Sequence, residues 1–133
     1  MEWLMNIPDY VKNKKILIVD DVPSMRAIVK AFLRDVGIFR LATANDGQDA
    51  LQKINRTQFD LIICDWNMPG MSGIDILNTL RADDKLKSTN FMMVTASSDT
   101  EKVKQAIASG IDGYIVKPFQ ANVLYEKIIS IFE

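Results

Sequence analysis

Short apolar runs alternate along the chain with stretches in which apolar residues recur every three or four positions. The runs lie near residues 15–19, 41–44, 60–64, 91–95 and 113–116. They are almost wholly apolar, the form of strands that are covered on both faces. The stretches between them, near 23–36, 47–55, 73–81, 100–109 and 121–132, carry helical spacing. In the first of these, Met25, Ile28, Val29, Phe32 and Val36 make one face, and Pro23 suits the opening turn. Gly37 and Gly110 fall just past such stretches, where a left-handed cap is needed. Asp46-Gly47 and Pro69-Gly70 mark turns, and Thr100-Glu101, or Asp99 before it, opens a helix. Strands alternating with helices predict βαβ units, a parallel sheet and an α/β class. Residues 14–133 make one domain. Residues 1–13 stand apart as an N-terminal extension in which Trp3, Leu4, Ile7, Tyr10 and Val11 are apolar and Pro8 interrupts them. They read as a segment packed on the domain or as a partner-binding arm.

The polar residues that end the runs change the picture from fold to chemistry. They are Asp20-Asp21, Asn45-Asp46, Asp65, Thr95 and Lys117-Pro118. In a parallel α/β sheet the C-terminal strand ends converge on one edge, and ligands bind there. Three carboxylates, Asp20, Asp21 and Asp65, would then meet a hydroxyl and an ammonium. Carboxylates that close repel, so at least one should have a raised pKa unless a cation sits among them. Mg²⁺ suits such a site, because it prefers oxygen ligands and needs only one or two carboxylates. An aspartate can also be a nucleophile toward phosphorus. The Lys117 ammonium and Thr95 hydroxyl would neutralise equatorial oxygens in the transition state. An X-Pro bond tolerates cis, which at Lys117-Pro118 would aim the lysine back at the site.

Composition then removes alternatives. Lys plus Arg (16) balance Asp plus Glu (17), so no basic excess points to nucleic acid or an anionic membrane. The apolar runs are too short to span a bilayer, and the N-terminus does not read as a secretory signal. The single cysteine, Cys64, excludes an internal disulfide and suits a cytoplasmic protein with a packed thiol. No histidine is present, so any phosphate chemistry must use oxygen or lysine.

Asp20-Asp21, the segment Asp65-Trp66-Asn67-Met68-Pro69-Gly70-Met71-Ser72-Gly73, Thr95-Ala96 and Gly113-Tyr114-Ile115-Val116-Lys117-Pro118-Phe119 together resemble the receiver domain of two-component response regulators. The Asp-Trp-Asn-Met-Pro run and the ending Glu126-Lys127-Ile128 resemble the single-domain chemotaxis members. The resemblance implies a flavodoxin-like sheet of order 2-1-3-4-5 flanked by five helices. It implies that Asp65 accepts a phosphoryl group from a histidine kinase. Asp21 and Asp65 would ligate Mg²⁺ through side chains, Asn67 through its backbone carbonyl, and Asp20 through water. Thr95 and Lys117 would bind phosphoryl oxygens. Tyr114 would be the switch aromatic, and Val103, Tyr114, Val116 and Lys127 would face a flagellar motor switch protein. The chain would be a monomer, acting on a phosphatase's terms or its own for dephosphorylation, and would be no enzyme beyond its own phosphotransfer and hydrolysis.

The sequence departs from that pattern at the start of the fourth helix. Ser97-Ser98-Asp99-Thr100 stands where motor-binding relatives carry Glu and Lys, and Ile107 and Ile111 are bulkier than the usual alanines. Motor binding is therefore set against a phosphate-sink role or another partner. Asn67 and Ser97 would line the path of the hydrolytic water and set the lifetime of the phosphorylated state. A nucleotide-binding enzyme or a flavodoxin-like carrier would need a different turn after the first strand, where Asp-Asp-Val-Pro-Ser lies. An Asp-nucleophile phosphatase would carry its nucleophile after the first strand, not the third.

Overall fold

The computed structural model describes residues 7–96 and 99–133. Eleven elements follow in chain order: α1 (Asp9–Lys12), β1 (Ile16–Val19), α2 (Pro23–Asp35), β2 (Leu41–Ala44), α3 (Gly47–Arg56), β3 (Leu61–Asp65), α4 (Gly73–Arg81), β4 (Asn90–Thr95), α5 (Thr100–Ser109), β5 (Gly113–Val116) and α6 (Ala121–Phe132). The strands form one parallel sheet in the order β2-β1-β3-β4-β5. This is the expected doubly wound architecture, with strand ends within a residue of the predicted limits. Six helices surround the sheet where five were expected. The extra one is the single turn α1, too short to show a periodicity. Its Val11 is fully buried and Ile7 nearly so, both in the cluster that also holds Tyr125 and Ile128 of α6.

The apolar strand runs are two-sided. Leu17, Val19, Ile62, Cys64, Phe91 and Met93 pack with residues of α3, α4 and α5 on one face. Ile16, Ile18, Leu61, Ile63, Met92 and Val94 pack with residues of α1, α2 and α6 on the other. Alternate residues serve opposite faces, and because both faces are covered the sequence shows no polar alternation. Each such Leu or Ile side chain contributes about 1.5–3 kcal/mol when fully buried. Tyr125, buried in this core, donates its hydroxyl to the Phe32 carbonyl at 2.6 Å and ties α6 to α2.

Local signals set the helix ends. The Asp46 side chain accepts from the Asp49 amide, Ser72 and Asp75 form a reciprocal capping box, and Asp99 rather than Thr100 caps α5. Gly37 and Gly110 both hold positive φ, 88° and 90°. At the N-terminal edge of the sheet Arg81 acts as a staple. It donates to the Gly110 and Thr89 carbonyls at 3.0 and 2.7 Å and pairs with Asp112 at 3.0 Å. Among the described residues, no helix is long and apolar enough to cross a membrane.

Candidate functional site

Parallel register brings the chemistry-bearing residues to one edge. Val19 pairs with Ala44 on one side and Cys64 on the other, so Asp20 leaves β1 beside Asp65, the last residue of β3. Thr95 ends β4 opposite Val116, and Lys117 follows directly. Carboxylate oxygens of Asp20, Asp21 and Asp65 all lie within 4.8 Å of one another. Asp20 and Asp65 are buried, and Asp21 lies nearer solvent.

Lys117 closes the cluster. Its Nζ lies 3.2 Å from Asp20 Oδ2 and 3.2 Å from Asp65 Oδ1, bridging the two buried carboxylates. The Lys117-Pro118 bond is cis. Asp20 is further held by the Val22 amide, which donates to its Oδ1 at 2.9 Å. Arg26, one turn into α2, donates to the Asp20 carbonyl at 2.7 Å. The sequence reading did not include Arg26; its signal is its place on the first turns of the helix that follows Asp20-Asp21.

Burial is the largest cause that pushes the Asp65 carboxyl above its ordinary range; Lys117 opposes it, and Asp20 and Asp21 add to it. The raised pKa was expected, but from repulsion; desolvation comes first. For Lys117, burial by itself would lower the pKa, yet the charges of Asp65 and Asp20 outweigh it and the ammonium is held more firmly than usual. Burial also raises Cys64 far above its ordinary value, in keeping with a packed thiol next to the site.

One ammonium faces three carboxylates, so the cluster lacks positive charge. A hard divalent cation with oxygen preference fits that donor set. Asp20, Asp21 and Asp65 are the residues that could hold it; Asn67 is exposed two positions beyond Asp65. A phosphoryl group on Asp65 would likewise meet the Lys117 ammonium. A hollow of about 370 Å³ lined by Met25, Ile28, Ala96, Lys117, Pro118 and Phe119 opens beside that lysine.

The start of α4 is pressed against the end of β3. The Gly73 amide donates to the Trp66 carbonyl at 2.9 Å, and a Cβ at Gly73 would stand 2.5 Å from the Asp65 carbonyl oxygen. Only glycine allows that approach.

The remaining residues of the expected site divide by position. Thr95 is fully buried and shares a side-chain hydrogen bond with Tyr114. Burial raises the Tyr114 hydroxyl pKa, the Thr95 bond offsets part of this, and Asp99 adds to it. Tyr114 and Val103 are half-buried, while Val116 and Lys127 are exposed on neighbouring elements. Ile107, within α5, is 64% exposed. Ser97 lies outside the described residues.

Comparison with known proteins places this geometry. Residues 16–129 match the model of the response regulator receiver domain family. The chain is 48% identical over 133 residues to a chemotaxis protein CheY-3 of Vibrio cholerae, covering all of this chain and 98% of that one. It is 50% identical over 119 residues to a chemotaxis protein CheY of Pseudomonas aeruginosa, covering 90% and 96%. Among solved structures, Vibrio cholerae CheY4 superimposes with TM-score 0.83 at 36% identity, over 89% of this chain and 98% of that one. A BeF3-activated DrrB receiver domain superimposes with TM-score 0.78 at 27% identity, over 90% and 97%.

Proposed function

The chain belongs to the response regulator receiver family, and from that premise we propose that it is a chemotaxis-type regulator switched by phosphorylation of Asp65. The observation that carries the reading is the Lys117 ammonium seated 3.2 Å from both Asp20 and Asp65 within a cluster of three carboxylates.

In the proposed reaction an Asp65 oxygen attacks the phosphorus of a kinase phosphohistidine or a small acyl phosphate. The P–N or P–O bond to the donor breaks, and the donor leaves with that electron pair. Lys117 moves from bridging two carboxylates to neutralising a phosphoryl oxygen, and the Thr95 hydroxyl takes another. Asp20, Asp21 and Asp65 would hold Mg²⁺, which when bound would supply charge neutralisation on the remaining side. The apolar hollow beside Lys117 gives the donor an approach that the carboxylates do not block. Hydrolysis returns Asp65, and the protein turns over no other substrate. Drawing Thr95 toward the phosphoryl group would disturb its bond to Tyr114 and so reach the surface that carries Val103, Val116 and Lys127. Full switching from about 1:99 to 99:1 needs roughly 5.5 kcal/mol of differential stabilisation.

The names of its relatives favour chemotaxis, and the receiver family favours a histidine kinase as donor; we place the protein in the cytoplasm. The exposed Ile107 and the altered opening of α5 favour a partner other than the motor switch protein as a second reading. Incubation with acetyl phosphate and Mg²⁺ should add one phosphoryl group by intact mass, and Asp65→Asn should add none at that site. Unchanged labelling in Asp65→Asn would defeat the assignment. Titrating a motor-switch N-terminal peptide with and without beryllofluoride separates the two outputs: tighter binding on activation supports the motor, and no binding supports another partner.

A further inference from the structure

The Lys102 ammonium stands 5.5 Å from the centroid of the Trp66 ring. This is within the reach of a cation–π attraction, which depends on the position of the cation over the ring face. The two residues belong to different parts of the machine. Trp66 directly follows Asp65, is 6% exposed, and is fixed by its backbone on both sides: its amide donates to the Val94 carbonyl at 2.8 Å and its carbonyl accepts from Gly73. It is a rigid platform joined to the candidate acceptor. Lys102 lies in the first turn of α5, next to Val103. That helix is held lightly, since Ala106 is its only buried residue. A contact between its first turn and Trp66 therefore links the residue after Asp65 to α5 by a route separate from Thr95 and Tyr114.

We propose that Lys102 is a positioning residue that couples occupancy of Asp65 to the first turn of α5 through the Trp66 indole. The proposal rests on the reading of Asp65 as phosphoryl acceptor. New negative charge at Asp65 appears one residue from the indole, so the ammonium responds to both ring and charge. The helix that carries it responds with it. A sequence reading misses this, because a lysine at the third position of an amphipathic helix reads as a solvated charge.

The test uses the full chain with Trp3→Phe, so that Trp66 is the sole indole. Beryllofluoride with Mg²⁺ is the probe, and ¹⁹F NMR reports bound fluoride independently of the indole. Lys102→Gln should shift the resting Trp66 emission. It should cut by about half or more both the beryllofluoride-induced emission change and the amide shift at Val103, while the bound fluoride signal and the Thr95 amide shift persist. Lys102→Arg should restore all three quantities, because guanidinium also binds a ring face. Full responses in Lys102→Gln overturn the proposal, as does failure of Lys102→Arg to restore them. Absence of bound fluoride in the Trp3→Phe parent overturns the acceptor reading instead. In that case an unchanged resting emission in Lys102→Gln still overturns the Lys102–Trp66 contact by itself.

Discussion

The two edges of the sheet treat charge in opposite ways. At the N-terminal edge, Arg81 meets one carboxylate, Asp112, and carbonyl oxygens of Thr89, Lys87 and Gly110. The same Asp112 also accepts from the Phe91 amide at 2.8 Å, so the group is satisfied within the fold. At the C-terminal edge, Asp20 and Asp65 share Lys117 with Asp21 close beside them, and the buried Asp65 carboxyl is pushed above its ordinary pKa. The first arrangement is complete and serves stability. The second is left short of cations, and that deficit is what a metal and a phosphoryl-transfer transition state would draw on. Crowded like charge in a native protein marks a place where something else is meant to bind.

The comparison breaks first at Asp65. Asp65→Asn should abolish phosphorylation at the principal site. It should also make the protein more stable near neutral pH. Because the folded pKa of Asp65 is raised, its contribution to stability is fully present below the unfolded pKa, about 4, and is lost as pH rises through the folded value. The gain of the Asn variant should therefore vanish in acid and grow toward neutrality, measured by urea unfolding across pH. Adding Mg²⁺ at neutral pH should narrow the gap by stabilising the parent. A gap that does not depend on pH would remove the electrostatic account.

Lys117→Ala should rank next. It leaves Asp20 and Asp65 facing each other without their shared donor, and should cost about 1–3 kcal/mol at neutral pH. The folded pKa of Lys117 is raised, so its contribution is fully present at neutral pH and is lost only as pH rises through that folded value. The loss should shrink in acid, where Asp65 protonates. Acetyl phosphate should still label Asp65 to some extent, but the Val103 and Tyr114 amides should no longer follow. Full switching in this variant would contradict the role of Lys117.

Gly73→Ala tests how tightly α4 is pressed on the end of β3. Its methyl group would meet the Asp65 carbonyl at 2.5 Å, so about 1–3 kcal/mol should be lost, together with a weaker beryllofluoride response. Arg81→Ala should cost about 2 kcal/mol by breaking charged hydrogen bonds. Its beryllofluoride affinity should stay within about twofold of the parent, a range that corresponds to less than 0.5 kcal/mol. A large loss of affinity there would show that the two edges are coupled and that the contrast between them is wrong.

Much of the architecture was legible in the chain because each local signal agreed with the others. Wholly apolar runs announced strands covered on both faces, and Pro23, Gly37 and Gly110 marked helix ends that the structure bears out. Residue type at the strand ends announced the acidic edge. What one dimension did not contain was contact made across it. The Arg81 staple, the seat of Arg26 on Asp20 and the Lys102–Trp66 pair join residues whose sequence environments say only amphipathic or charged. Sequence by itself determined which residues are apolar, where the chain turns and which chemical groups end each strand. Tertiary structure alone decided that Lys117 spans two carboxylates and that desolvation, ahead of repulsion, sets the state of Asp65. Both depend on distance and on exclusion of water, which exist only once the strands are side by side.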